Sequence, residues 1–175
     1  MPTFFKANSA NKGALLGLST NVKDGEGALF INLVKQSSYD SSRKIGEFKG
    51  DKITIKLSIF EVGNLFDVIC NNRPFSTVHR NSYSDEKSMT QIYFQPFAPE
   101  NKETGQKGAQ KGFSLTVVRG DSKFFFGISY GEAQVLRSYF DYFLRQVFSN
   151  EQQNAKKFVK DRQEKSPKPK VVEKS

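Results

Sequence analysis

The chain has 175 residues, enough for one compact domain with a hydrophobic core but not for two of ordinary size. Its hydrophobic content of 37%, with 17 phenylalanines, excludes global disorder. The net charge of +9 favours polyanionic partners, with nucleic acid ahead of an anionic membrane surface.

The chain shows no sign of a membrane span or a targeting segment. No apolar run approaches the roughly 18–20 residues that cross a bilayer, and the first residues resemble neither a signal peptide nor a transit peptide. We therefore expect no membrane partner and an intracellular location: the cytoplasm or nucleoid, or the host cytoplasm for a viral protein.

Alternation of apolar and polar residues dominates the first third of the chain and predicts strands. These predicted strands cover residues 14–22, 28–36, 45–48 and 52–57, and a Lys-Asp-Gly-Glu-Gly turn joins the first two as a hairpin. Apolar residues then recur at helical spacing after Ser58 and Glu61, which form a capping box. This helix should end near Asn71 and Asn72, before Pro74.

The second half repeats this plan. Its predicted strands cover residues 75–82, 89–96, 112–119 and 122–128, with a polar loop over residues 98–111. A second helix begins with Ser129 and Glu132 at the same capping-box spacing. One offset of 71 residues aligns Ile53, Ile55, Leu57, Ser58, Glu61 and Leu65 with Phe124, Phe126, Ile128, Ser129, Glu132 and Leu136. The constant offset indicates a duplicated unit of four strands and a helix.

The last 26 residues contain eight basic and four acidic side chains and almost nothing apolar. We divide the chain into a folded domain, residues 1–149, and a basic tail, residues 150–175, that is helical to about Arg162 and disordered beyond it. The tail carries +4 of the net charge and the domain carries +5, so the basic character belongs to both.

The strand faces that point away from the helices offer cations, hydroxyl and amide groups, and two aromatic rings. Alternation places the following residues on those faces: Lys52, Thr54, Lys56, Tyr93, Gln95, Lys123 and Phe125. Cations can follow phosphates while exposed rings stack on unpaired bases, a combination that suits single strands and discriminates against duplexes. An equally good interpretation makes Tyr93 and Phe125 ordinary cross-strand partners, or places them beneath the long loop.

The segment 106–112 resembles a phosphate-binding loop only in composition, because it lacks the Gly-Lys-Ser/Thr ending and a following helix. We interpret it as a flexible basic loop in which Lys107 and Lys111 can contact a phosphate backbone.

No set of residues indicates catalysis. The one histidine, His79, is expected at the surface rather than in a catalytic site, and the single Cys70 excludes a multi-cysteine metal cluster. Phosphate-loop, dinucleotide-binding and nucleophile-elbow motifs are absent from the sequence. We therefore expect no enzyme activity, no catalytic or metal-binding residue, no cofactor and no small-molecule substrate.

Three segments of the chain match motifs of a known family. Ile55-Lys-Leu-Ser-Ile-Phe-Glu-Val-Gly-Asn-Leu65 resembles a strand-to-helix motif that reads approximately F-S-L-S-V-T-E-I-G-N-L. Phe113-Ser-Leu-Thr-Val117, with the sequence through Leu144, is similar to an F-N-L-S-V strand, a further strand and an aromatic helix. Lys12-Gly13-Ala14-Leu15-Leu16 is similar to a K-G-K-A-A-L strand without its second lysine. These motifs belong to the Whirly family of single-stranded DNA-binding proteins.

The resemblance covers about residues 10–148 and implies an α+β fold of two ββββα repeats, with two antiparallel four-stranded sheets packed against two helices. It also implies homotetramers formed through the helices, and single-stranded DNA bound along the sheet edges with little sequence preference. Lys12 thereby joins the candidate nucleic-acid-binding residues. DNA protection, replication, recombination and repair are the processes that this function would serve.

Two alternatives stay open. Similar folds serve mitochondrial guide-RNA-binding proteins, so RNA binding or strand annealing is one. The other is an oligomeric interaction module whose basic tail docks an acidic protein. Oligomerisation is also predicted by the second helix, which presents Tyr139, Phe140, Tyr142 and Phe143 over more than one face.

Overall fold

The computed structural model describes residues 2–10, 12–23, 26–80, 89–100 and 104–165. Within these ranges the first repeat comprises β1 (Thr3–Lys6), β2 (Ala14–Lys23), β3 (Glu26–Lys35), β4 (Ser38–Asp40), β5 (Ile45–Glu47), β6 (Lys52–Leu57) and α1 (Ile59–Asn71). The second comprises β7 (Phe75–His79), β8 (Thr90–Phe97), β9 (Gly112–Arg119), β10 (Ser122–Ile128) and α2 (Tyr130–Lys165). No helix in this part of the chain has the length and apolar character needed to cross a membrane.

The first antiparallel sheet has the strand order β1-β2-β3-β6. The predicted β2–β3 hairpin is confirmed, with pairing from Ala14↔Lys35 to Lys23↔Glu26, although turn residues 24 and 25 lie outside the described ranges. Inward positions alternate along these strands, so Leu16, Leu33 and Ile53 meet in the core while their neighbours face outward.

The fourth strand of this sheet is β1, and the prediction that residues 45–48 supply it is wrong. β5 instead pairs with β4 in a separate two-stranded hairpin inserted between β3 and β6. Asp40 closes the hairpin turn by accepting the backbone N–H groups of Ser42 and Arg43 at 2.9 and 3.2 Å. The four residues of β1 contain two adjacent phenylalanines, so they carry no alternating pattern that would indicate a strand.

The second antiparallel sheet has the order β10-β9-β8-β7, so consecutive strands are neighbours. The predicted bounds of β9 and β10 are confirmed. β8 begins and ends one residue later than predicted. β7 ends at His79, whereas the predicted strand continues to residue 82; residues 81 and 82 lie outside the described ranges.

The inner faces of both sheets and the two helices enclose one core, which confirms the predicted α+β architecture. α1 contributes Val62, Leu65, Val68 and Ile69, and α2 contributes Ala133, Leu136, Phe140, Phe143 and Val147. The three aligned strand positions of each repeat, Ile53, Ile55 and Leu57 with Phe124, Phe126 and Ile128, are all buried. Each such burial stabilises the fold by roughly 1.5–3 kcal/mol.

Both predicted capping boxes are present. In α1 the Ser58 hydroxyl accepts the Glu61 backbone N–H at 3.3 Å, and Glu61 Oε2 accepts the Ser58 backbone N–H at 2.9 Å. In α2 the corresponding distances between Ser129 and Glu132 are 3.4 and 2.8 Å. The Ser-x-x-Glu sequence that joins the last strand of each repeat to its helix therefore forms the same local structure twice.

The second oxygen of each capping glutamate contacts a side-chain nitrogen of the other repeat. Glu61 Oε1 lies 2.6 Å from His79 Nε2 on β7, and Glu132 Oε1 lies 2.6 Å from Lys6 Nζ on β1. His79, predicted at the surface, is half-buried because of this contact. Each carboxylate thus joins the start of its own helix to the first strand of the opposite repeat.

α2 has 36 residues and a length of about 54 Å. It ends at Lys165, beyond the predicted limit near Arg162, and residues 151–160 are exposed along it. α2 thus includes residues 163–165, for which disorder is predicted, and the rest of the segment predicted to be disordered, residues 166–175, lies outside the described ranges.

Replacing either capping serine by alanine should lower the free energy of unfolding by about 0.5–2 kcal/mol, because one backbone N–H at the helix start loses its acceptor. Urea denaturation of Ser58→Ala and Ser129→Ala measures this loss. Ser138→Ala, at an exposed site within α2, is the control and should not destabilise. Equal stability of all three variants would contradict the capping role.

Candidate nucleic-acid interface

A groove separates the two sheets where β10 faces the β1–β2 end of the first sheet. It consists of two adjoining pockets of about 370 and 480 Å³ that share Lys12, Gly13, Ala14 and Phe125. We call it the inter-sheet groove. Its lysines are Lys6, Lys12, Lys35, Lys111 and Lys123, and its aromatic rings are Phe97 and Phe125.

The aromatic wall of the groove follows from alternation along β10. Phe124 and Phe126 point into the core, so Phe125 between them must point outward, where it is 50% exposed. Its ring meets Phe97 edge to face, with centroids 5.8 Å apart. Lys123 lies two residues before Phe125 on the same face. Cations and open rings are therefore adjacent in this wall.

The opposite wall is the loop between β1 and β2, which buried Gln36 holds in place. The Gln36 side chain accepts the Asn8 backbone N–H at 3.0 Å and donates to the Asn8 carbonyl at 2.9 Å. Asn8 Oδ1 in turn accepts the Lys12 backbone N–H at 3.0 Å. A Cβ on Gly13 would lie 2.1 Å from the Lys6 carbonyl oxygen, so only glycine fits after Lys12.

Two of the groove lysines are neutralised by carboxylates. Lys6 Nζ lies 2.6 Å from Glu132, and Lys35 Nζ lies 2.9 Å from Asp51. The same ammonium groups lie over inward-facing rings of β10, Lys6 at 5.9 Å from the Phe126 centroid and Lys35 at 5.1 Å from that of Phe124. These contacts join the edge of β10 to the first sheet.

Both carboxylates stay ionised over a wide pH range. The hydrogen bond and charge of Lys35 hold the pKa of Asp51 below its usual value. Burial alone would raise the pKa of Glu132, but the hydrogen bonds from Lys6 and Ser129 outweigh burial and hold that pKa below its usual value.

The other three groove lysines carry uncompensated charge. Among the described residues, no carboxylate lies within ion-pair distance of Lys12, Lys111 or Lys123. Lys111 is positioned at the start of β9, where its backbone N–H donates to the Phe97 carbonyl at 2.8 Å. The groove therefore presents three positive charges beside the exposed ring of Phe125 and the half-buried ring of Phe97.

The structure brings together four of the residues predicted from the sequence and separates the rest. Lys12, Lys111, Lys123 and Phe125 line the inter-sheet groove. The others lie outside its lining: Tyr93 and Gln95 on the outer face of β8, and Lys52, Thr54 and Lys56 on the outer face of β6. Lys107 lies in the β8–β9 loop, where its backbone pairs with that of Glu100 in an isolated antiparallel β-bridge. Tyr93 shares a row with Phe125, with Thr116 between them, about 10 Å away.

Two lysines and one aromatic ring of the groove are not predicted from the sequence. Lys6 lies on β1, which has no alternating pattern, and Lys35 occupies an inward position at the end of β3. Phe97 is the last residue of β8, one beyond the predicted end. Extending the alternation of Tyr93 and Gln95 by one more step would have identified Phe97.

The duplication creates a second cleft at the equivalent joint, but with opposite charge. This pocket of about 430 Å³ is lined by Lys56, Leu57 and Ser58, which align with Gly127, Ile128 and Ser129 of the inter-sheet groove. Its other charged residues are acidic, namely Glu26, Glu61 and Glu151. Of the two equivalent clefts, only the inter-sheet groove suits a polyanion.

No protein-family sequence model and no curated protein sequence matches the chain. Its structure is similar to WHY3 from Arabidopsis thaliana, with 17% identity over 84% of this chain and 87% of that chain and a TM-score of 0.55. It is also similar to the plant transcriptional regulator PBF-2 (17% identity, 85% and 81% covered, TM-score 0.52) and to MRP1/MRP2 of Trypanosoma brucei (16%, 87% and 86%, 0.52). These are Whirly proteins, so the predicted Whirly fold is confirmed.

Glu132→Gln should lower the free energy of unfolding by about 1 kcal/mol at pH 7, because Lys6 loses its charged partner. A carboxylate whose pKa is depressed in the folded state stabilises above its unfolded value of about 4.3 and loses that contribution as the pH falls. The difference from wild type should therefore shrink between pH 7 and pH 3 in urea denaturation. Glu151→Gln is the exposed control, and a pH-independent difference for Glu132→Gln would contradict the assignment.

Proposed function

We propose that this protein, which has the Whirly fold, is a non-enzymatic protein that binds single-stranded DNA with little sequence preference. The inter-sheet groove carries the proposal, because it places three uncompensated lysines beside the exposed ring of Phe125. PBF-2, a structural neighbour, is a transcriptional regulator, which supports a nucleic-acid partner for this fold.

In this proposal, the phosphates of the strand follow Lys12, Lys111 and Lys123 while bases stack on Phe125. One stacked base contributes about 1–3 kcal/mol with little dependence on its identity, since every base has a π face. Tyr93, which is 40% exposed in the same row as Phe125, can take a further base. A duplex hides its base faces and would gain only the phosphate contacts.

The biological setting that we propose is the protection, replication, recombination or repair of DNA inside the cell. RNA is the alternative ligand, because the lysines and rings of the groove recognise phosphates and bases that both nucleic acids have.

Fluorescence anisotropy with labelled oligo(dT), a matched duplex and a matched RNA tests the proposal. We expect the DNA single strand to bind tightest, with an affinity that falls steeply as the salt concentration rises. Equal affinity for single strand and duplex, or no binding at low salt, would contradict it. A clear preference for RNA would favour the alternative ligand.

Lysine variants then locate the site. Lys12→Gln and Lys123→Gln should each weaken oligo(dT) binding and reduce the slope of log K against log salt by about 0.7, the value for one lost phosphate contact on a single strand. Lys52→Gln, an equally exposed lysine on β6 outside the groove, is the matched control. An effect of Lys52→Gln as large as that of the groove variants would place binding on the outer sheet face instead.

α2 also supports the proposal of a homotetramer formed through the helices. Of the four rings predicted to lie over more than one face of the helix, Phe140 and Phe143 are buried in the core, whereas Tyr142 is exposed and Tyr139 half-buried. Exposed Val135 and Tyr142, together with half-buried Tyr139, instead form one apolar stripe at helical spacing. A stripe of this kind suits helix-to-helix contact between copies of the chain.

Multi-angle light scattering of wild type should give about four times the 19.8 kDa chain mass. Val135→Glu with Tyr142→Glu should reduce that mass, because two charges would be buried at the helix contact. Val78→Glu, at an exposed apolar residue on the second sheet, is the control and should leave the mass unchanged. A monomer mass for wild type would contradict the proposal.

A further inference from the structure

Phe5 and Phe48 form an aromatic pair outside the inter-sheet groove. Their ring centroids are 5.7 Å apart at an interplanar angle of 57°, and Phe5 is 60% exposed. Phe5 belongs to β1, the edge strand of the first sheet, and Phe48 follows β5. Phe5 thus presents open aromatic surface beside half-buried Phe48, and this surface has no role in the fold described so far.

The pair adjoins the groove through β1. Phe5 and Lys6 are adjacent on β1 and point to opposite faces, with Lys6 lining the groove. A Cβ on Gly46 would lie 2.7 Å from Ala7 Cβ, so β5 packs directly on the residue that follows Lys6.

Gln36 links the β1–β2 loop to the β4–β5 hairpin. Its amide group donates to the Asn8 carbonyl in the groove loop and, at 3.0 Å, to the Ser38 carbonyl at the start of β4. One buried side chain therefore positions both the groove wall and the β4–β5 hairpin.

Cations accompany the aromatic pair. Lys49 follows Phe48, and its side chain is 77% exposed and 3.7 Å from Glu47. The hairpin turn adds Arg43, whose side chain is 78% exposed, and Lys44. Arg43 has only a long contact of 3.7 Å with Asp40, which the Ser42 hydroxyl and the turn amides already bind. Both contacts are longer than the 2.6 and 2.9 Å ion pairs of Lys6 and Lys35 in the groove. Among the described residues, Lys44 has no carboxylate within ion-pair distance.

We propose that the Phe5–Phe48 pair, with the hairpin cations, is a second stacking platform that takes an unpaired base of the same strand after it leaves the groove. This inference rests on the proposed function. Base stacking with phosphate contacts requires an open ring near cations, and exposed Phe5 supplies the ring while Lys49, next to Phe48, supplies a cation.

Oligo(dT) of increasing length, titrated by anisotropy, tests the platform. Short strands fill only the groove, so Phe5→Ala with Phe48→Ala should bind them like wild type. Long strands should bind this double variant about 5–150-fold more weakly, the loss expected for one stacked base. Phe125→Ala should weaken binding at every length, and Phe60→Ala, at an 82% exposed ring on α1, should change nothing.

A charge variant makes the test independent of ring packing. Arg43→Gln with Lys49→Gln should reduce the salt slope by about 1.4 for long strands, as expected for two lost phosphate contacts, and leave the slope for short strands unchanged. Wild-type behaviour of both double variants at all lengths would overturn the platform while leaving the groove intact. Failure of the wild-type protein to bind any strand would instead overturn the proposed function and the platform together.

Discussion

Each capping glutamate uses one carboxylate oxygen to begin its own helix and the other to bind the first strand of the opposite repeat. Glu132 accepts the Ser129 backbone N–H and binds Lys6, while Glu61 accepts the Ser58 backbone N–H and binds His79. The two sheets are thus joined at the residues where each one passes into its helix. The Glu132–Lys6 contact lies at the inter-sheet groove, whose lining includes Lys6 and Ser129, whereas Glu61 lines the second cleft.

The two repeats share the same core and the same helix starts. Their two clefts differ in charge, because the exposed side chains around them are not alike in the two repeats. The aligned core positions are apolar in both halves, and both joints use Ser-x-x-Glu. Around them the charges diverge, with Lys12 and Lys111 near one joint and Glu26 and Glu151 near the other. Burial constrains the interior of both repeats alike, whereas the exposed rims can change charge without disturbing the core.

Local signals predicted the parts of the fold that have a period or a cap. β6, β9, β10 and both helix starts follow from alternation and capping boxes, which need only a few neighbouring residues. β1 and β4 are too short to show a period, and their pairing depends on contacts distant in sequence. The groove was harder to predict than the strands, because its residues come together from distant parts of the chain: Lys6 and Glu132, for example, are 126 residues apart. Sequence alternation could place Phe125 outward, but it could not place Lys12 opposite it.

The number of lysines in the inter-sheet groove overstates the charge that a strand would meet. Lys6 and Lys35 are ion-paired with carboxylates whose pKa values lie below their usual range, so both pairs are neutral as units near pH 7. Separating either pair to reach a phosphate would leave a carboxylate beside a polyanion, which is unfavourable. Lys6 and Lys35 therefore maintain the shape of the groove, and the phosphate contacts that we propose are made by Lys12, Lys111 and Lys123. In the proposed complex, only three cations without an ion-pair partner among the described residues contact phosphates, so stacking on Phe125 should contribute a large part of the affinity.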